Sequence, residues 1–288
     1  MSPNRLLALL TSVAALAAPA LAFGDGDLPI QDNSFLIEEA YNQEPGVIQH
    51  ISTFSRVGGT GAWLYSFTEE WPVLGQTHQA SVTLNYAGLE KRGPTGIGDL
   101  ALNYRWQAVG SGETEVALAP RLSVLVPTGD ASRGLGLGGA GIQVNLPLSA
   151  MLGRHFVTHV NFGGTYVPSA LASDGGHGPL GSFSAGESLI WLAHSRFNVL
   201  TEVLYTRSET ARPGANDRAE TFTVNPGVRG AIDFPSGLQI VPGVSVPLGV
   251  GPSRGERAVF LYLSFEHPFR LAGPTVEASA KAGADGQG

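Results

Sequence analysis

Residues Asp99–Gln107 read DLALNYRWQ. Leu100, Leu102, Tyr104 and Trp106 alternate with Asp99, Asn103, Arg105 and Gln107. A period of two puts successive side chains on opposite faces of an extended strand, here one apolar and one polar. The same rhythm runs outward along the chain. Ala80, Val82, Leu84 and Tyr86 alternate with Gln79, Ser81, Thr83 and Asn85. Val116, Leu118, Leu122, Val124 and Val126 oppose Glu115, Arg121 and Ser123. Phe222, Val224, Val228 and Ile232 oppose Thr221, Asn225, Arg229 and Asp233. Val259, Leu261, Leu263, Phe265 and Phe269 oppose Tyr262, Ser264 and Glu266.

Twelve such segments are read, at 47–57, 62–71, 78–89, 96–109, 114–127, 138–151, 154–167, 180–193, 196–207, 219–233, 237–249 and 256–269. They predict an all-β chain: a closed antiparallel transmembrane β-barrel of about 12 strands, with lipid outside and water inside. The first, second and eighth segments have mixed parity. Trp191 shares parity with Glu187, which calls for a bulge or a lumenal Trp. Connections alternate as well. Long polar stretches are expected at Pro127–Gly138, Pro168–Gly181, Arg207–Ala219 and Val250–Gly255, and tight turns near Gly153, at His194-Ser195 and at Phe234-Pro235-Ser236. Long loops on one side and short turns on the other orient the barrel, with both ends periplasmic. Trp63, Trp71, Trp106, Tyr86, Tyr104, Tyr166, Tyr205 and Phe269 lie towards strand ends, as interfacial girdles require.

The ends divide the chain further. Residues 1–22 read as a secretory signal peptide, with Arg5 before an apolar Leu6–Ala18 run and Ala20-Leu21-Ala22 as cleavage site. Residues 23–46 are expected as a periplasmic N-terminal segment or plug, 47–269 as the barrel and 270–288 as a disordered periplasmic tail. Phe35–Tyr41 (FLIEEAY) could form one or two helical turns capped by Asn33 or Ser34. No other apolar run reaches the ~18 residues of a helical span. The absence of cysteine excludes disulfides and thiol-based metal or redox sites. With 39 glycines, 14% charged residues and a formal charge of -7, the composition fits a turn-rich β-protein and gives no reason to expect nucleic-acid binding.

Several stretches carry a family resemblance: Asn33–Ile51 (NSFLIEEAYNQEPGVIQHI), Gly96–Gln107 (GIGDLALNYRWQ), Pro120–Asp130 (PRLSVLVPTGD), Phe156–Pro168 (FVTHVNFGGTYVP), Asn225–Ala231 (NPGVRGA) and Gly237–Pro247 (GLQIVPGVSVP). Across nearly the whole mature region, the chain resembles the Gram-negative outer-membrane barrels named for the meta-pathway of phenol degradation. The resemblance implies an outer-membrane channel or transporter for small solutes, aromatic or hydrophobic compounds among them. It assigns no functional residue. One departure is the end: the chain continues nineteen residues beyond Phe269, where a barrel usually stops at a terminal aromatic recognised by the insertion machinery.

Gly136-x-Gly138-x-x-Gly141 matches a dinucleotide fingerprint, but Ile142-Gln143-Val144-Asn145-Leu146 continues as a strand rather than a helix, so it reads as a flexible external loop. His155 and His159 are ~13 Å apart on a strand and cannot share a metal; His159 reads as lumenal. A Ser/His hydrolase would need an orienting third group, and no local signature appears. The polar face is more telling. A two-residue turn at His194-Ser195 would set Glu187 opposite Glu202, both inward. Arg121 and Arg229 share that parity and height, with Arg105 nearer the periplasmic end. The expectation is a cross-lumen network of Arg105, Arg121, His159, Glu187, Glu202 and Arg229, bracing the wall and narrowing the pore. Expected partners are outer-membrane lipid, a small-molecule solute and the insertion machinery. No cofactor, metal or enzymatic activity is implied. An outer-membrane hydrolase and a structural or adhesive barrel are the alternatives.

Overall fold

The computed structural model describes residues 30, 32–111, 114–172, 175–212 and 215–269. The expected signal peptide, residues 23–29 and the tail at 270–288 lie outside the described residues. Sixteen strand segments form one sheet. They are β1 (Val47–Val57), β2 (Trp63–Pro72), β3 (His78–Gly88), β4 (Thr95–Ile97), β5 (Leu100–Trp106), β6 (Val116–Leu118), β7 (Arg121–Val126) and β8 (Gly141–Leu152). There follow β9 (Phe156–Leu171), β10 (His177–His194), β11 (Phe197–Arg212), β12 (Ala215–Gly230), β13 (Ile232–Asp233), β14 (Gln239–Ser245), β15 (Leu248–Gly249) and β16 (Ala258–Pro268).

The sheet closes. β1 pairs with β2 on one side and with β16 on the other, in register from Val47↔Pro268 to Val57↔Ala258. β14 joins β16 to β12, and every pairing is antiparallel. Closure leaves no edge of unpaired backbone, the condition for a sheet to sit in lipid. The sixteen segments make twelve spans. β4 and β5 both pair with β3, β6 and β7 both pair with β8, and β14 and β15 both pair with β12. Likewise β12 and β13 form one span, both pairing with β14. Pro120 and Pro247 fall at two of these interruptions, where a missing N–H cannot serve the ladder. Outward residues carry the apolar alternation: Leu102, Tyr104 and Trp106 are 44%, 46% and 48% exposed. With Val124, Ile142, Phe162 and Leu261 they form a continuous apolar belt of the kind that faces hydrocarbon.

Three expectations change. Much of Pro168–Gly181 and Arg207–Ala219 is strand rather than loop: β9 continues to Leu171 and β10 starts at His177, while β11 continues to Arg212 and β12 starts at Ala215, each pair hydrogen-bonded to its end. The glycine-rich loop before β8 is pinned rather than loose: the Asp99 carboxylate accepts from Gly129 N at 3.0 Å and Leu137 N at 2.7 Å. The third concerns Glu187. The two-residue turn lies at Ser195-Arg196 rather than His194-Ser195, and a register shift between Trp191 and His194 takes back one of the two residues this displaces, so Ser188, not Glu187, lies opposite Glu202. A one-residue shift exchanges faces. Glu187 points outward with Trp191 and receives a hydrogen bond from Thr158 Oγ1 at 3.3 Å. The facing Glu187/Glu202 pair does not exist.

Candidate functional site

The lumen holds a piece of the chain itself. Residues 32–43 run inside the barrel before leaving at the end that carries the Gln76 turn to begin β1. Asp32, Ser34, Ile37, Glu39 and Ala40 are all less than 5% exposed. The expected helical turns at Phe35–Tyr41 do not form. A helix would satisfy its N–H groups internally, but here the wall takes them. Leu36 N and Ile37 N both donate to Glu202 Oε1, at 2.7 and 3.0 Å. Glu38 N donates to Asn161 Oδ1 at 2.9 Å, Ala40 N to Ser149 Oγ at 2.7 Å, and Gln43 N to Gln79 Oε1 at 2.8 Å. The chain thus follows the inner wall from β11 through β9 and β8 to β3. Carbonyls are served in turn. Arg105 donates to Glu39 O and Tyr41 O (3.1 and 2.7 Å), Asn161 to Glu38 O (2.8 Å), and Arg229 to Asp32 O and Asn33 O (2.7 and 2.6 Å). An irregular backbone buried in a barrel needs such partners, since each unpaired polar group would cost about 1–3 kcal/mol.

Side chains complete the fit. The Asp32 carboxylate accepts from Tyr262 Oη and Ser264 Oγ, both at 2.6 Å, and from Gln49 Nε2 at 2.9 Å. Glu38 forms a two-pronged pair with Arg121 at 2.8 and 2.9 Å. Ser34 Oγ meets Ser188 Oγ at 2.5 Å. Phe35 packs its ring 5.8 Å from Phe260 and 5.6 Å from Tyr262, within an apolar cluster that includes Ile51, Leu200 and Val241. Three wall glycines make room. A Cβ at Gly243 would lie 2.5 Å from Phe35, one at Gly186 2.5 Å from Ile37, and one at Gly227 would also strike the Phe35 ring.

Five of the six expected lumenal residues are inside, but their partners are mostly the segment rather than one another. Arg105, His159, Glu202 and Arg229 are at most 3% exposed. Arg105 also lies 3.8 Å from Glu70. His159 Nδ1 is 2.7 Å from Ser149 Oγ, itself capped by Ala40 N. The His159 ring meets Tyr41 edge-on with centroids 6.4 Å apart, and among the described residues no carboxylate hydrogen-bonds it, so this Ser–His pair lacks the orienter a hydrolase uses. The sequence reading missed Asp32, Glu38 and Glu39, and the neutral anchors Gln79, Ser149 and Asn161. A polar inward face was legible; that those amides and hydroxyls serve a backbone strand was not.

Charge inside is unequal. Among the described residues between the rims, six carboxylates (Asp32, Glu38, Glu39, Glu70, Glu202 and Glu266) meet three guanidinium groups (Arg105, Arg121 and Arg229). Burial pushes the Glu38 carboxyl up, but Arg121 outweighs it and holds the group below the usual carboxylate range. Burial dominates at Asp32 and raises it despite Arg229 and the two hydroxyls. At Glu39 burial and the charge of Asp32 act together, and the carboxyl lies well above the usual range.

The segment divides two cavities. The upper, about 360 Å³, rests on Leu36, Ile37 and Glu38 and is walled by Arg121, Gln143, Thr165, Ser182, Ser184 and Thr206. The lower, about 290 Å³, lies beneath Glu39–Glu44 and opens among the turns at Gln76 and Phe234–Gln239.

No family model matches the chain, and no curated protein matches it by sequence. Solved structures do match by shape. The chain is similar to an outer membrane channel of the COG4313 group from Pseudomonas putida F1, at TM-score 0.60 and 14% identity over 79% of this chain and 97% of that one. It is also similar to the NanC porin, at TM-score 0.54 and 10% identity over 77% of this chain and 100% of that one. At such identities the likeness is one of fold, and the fold is that of a bacterial outer-membrane barrel.

Proposed function

We propose that the chain is an outer-membrane channel for small solutes, closed in this conformation by residues 32–43 and opened when they leave the wall. The observation that carries the reading is the division of the lumen into two cavities by a backbone held through reversible hydrogen bonds. No covalent link fixes the segment, and its anchors are the polar groups that would line an open, hydrated pore. A barrel of twelve spans lies between the ~8 strands that side chains fill and the 16–18 of open porins, so an inserted segment is enough to close it. The solute reads as small and able to hydrogen-bond, because the upper cavity joins a hydroxyl-rich wall to an apolar patch at Leu36, Ile37 and Leu204. A small aromatic compound, among those the family resemblance implies, fits that mixture. Hydrolysis is disfavoured by the capped Ser149 and the missing orienter on His159. Liposome swelling tests the proposal: removal of residues 32–43 should accelerate solute entry well beyond the full chain. Equal rates would overturn it.

A further inference from the structure

The lower cavity has an unusual carboxylate. Glu39 is 4% exposed, and its backbone is fully engaged: its N–H donates to Asn33 Oδ1 at 3.1 Å and its carbonyl accepts from Arg105. Among the described residues, no donor or cation meets its carboxylate oxygens, whereas every other lumenal carboxylate has at least one. Glu39 lines the lower cavity together with Glu266, Glu44 and Asp233, and it also borders a water-sized cavity of about 20 Å³ shared with Asp32, His159 and Arg229. Tyr41 and Phe234 add aromatic surface to the same wall. One further group lacks a partner there. Asn42 Nδ2 is buried and unbonded, and its orientation is fixed because Oδ1 accepts from Arg105 Nε at 2.8 Å.

We infer that this cavity binds a small organic ammonium ion. Its cationic head sits against Glu39 with Glu266 behind it, its apolar part lies on Tyr41 and Phe234, and a hydrogen-bond acceptor on it faces Asn42 Nδ2. Ammonium–carboxylate hydrogen bonds are the strong, charge-assisted kind, and desolvated cations gain further from aromatic faces. A bare metal ion fits less well: among the described residues, no three carboxylate or imidazole groups converge as metal ligands would. The volume is near the ~300 Å³ at which small-molecule pockets begin. The inference names a solute class at the periplasmic mouth and takes its physiological meaning from the channel reading. Binding itself is measured without flux, so conductance can fail while binding holds, and the reverse.

Calorimetric titration of the purified full-length barrel in detergent, in mildly alkaline buffer, provides the test. The probe is 2-phenoxyethylammonium chloride, and neutral 2-phenoxyethanol is its control. Saturable one-site binding of the amine is expected, without saturation by the alcohol. Glu39→Gln should weaken the amine at least tenfold while keeping the heat-modifiable gel mobility of a folded barrel. Phe234→Ala, at an exposed rim position, should weaken it severalfold. Equal binding of the alcohol, wild-type affinity in either variant, or no saturation by roughly 10 mM amine would overturn the inference.

Discussion

Glu202→Ala perturbs the most heavily used anchor. One carboxylate oxygen holds two successive N–H groups of the segment, at 2.7 and 3.0 Å, and the other accepts from Asn225 Nδ2 at 2.6 Å. The Asn225 contact lies within the wall and is lost in docked and released states alike, so it cancels. The two segment donors lose their acceptor only while docked, because released they meet water. Hydrogen bonds to a charged acceptor contribute ~1.5–3 kcal/mol each. At the low end, two amount to about 3 kcal/mol in favour of release, roughly a hundredfold at ~1.4 kcal/mol per factor of ten. Glu202→Gln keeps an acceptor oxygen and removes the buried charge, whose desolvation offsets part of the loss, so about tenfold is expected there. In planar bilayers, the share of time in the large-conductance state should rank Ala above Gln above wild type. A folded Glu202→Ala barrel that conducts as wild type does would refute the reasoning.

Other outcomes follow from single contacts. Gly243→Ala places a methyl group against Phe35, and overpacking of ~1–3 kcal/mol should raise open probability in the same bilayer recordings. Glu187→Leu changes a lipid-facing position, so conductance should not move and stability in detergent should rise by up to about 1–2 kcal/mol; an altered conductance would return Glu187 to the lumen. Glu39→Gln removes a buried carboxylate that no cation directly contacts, and thermal unfolding in detergent should show about 1 kcal/mol of stabilisation or none lost. The raised carboxyl of Glu39 also sets a sign with pH. The docked state holds the proton more tightly than the released state, so docking weakens as pH rises from the usual carboxylate range through the raised value. Conductance should therefore increase with pH over that window, and less steeply in Glu39→Gln.

The barrel was legible because parity is a local signal. Asp99–Gln107 gives strand, faces and interface aromatics without any distant contact, and β5 follows it. The exchange of Glu187 for Ser188 was not legible, since the bulge near Trp191 depends on how β10 meets β11 across a turn. Nor could FLIEEAY disclose its conformation. Taken alone, its spacing favours a helix, yet Glu202, Asn161 and Ser149 from three different strands claim its N–H groups first. The glycines at 186, 227 and 243 looked like ordinary turn-rich composition; their use as sockets appears only once Phe35 and Ile37 are placed. Parity turns Arg105, Arg121 and Arg229 inward, but their acceptors belong to a stretch whose entry into the lumen leaves no mark in periodicity.

The central claim is that solute passage requires residues 32–43 to leave the wall. Ser34 and Ser188 place their hydroxyl oxygens 2.5 Å apart, and the chain has no cysteine of its own. A Ser34→Cys/Ser188→Cys double variant can therefore tether the segment to β10 by one disulfide. Swelling of liposomes containing this variant should fall to the protein-free rate when oxidised and rise on reduction to at least the wild-type rate. Identical rates in the two redox states, both above background and with the disulfide shown to be complete, would mean that solutes pass without moving the segment.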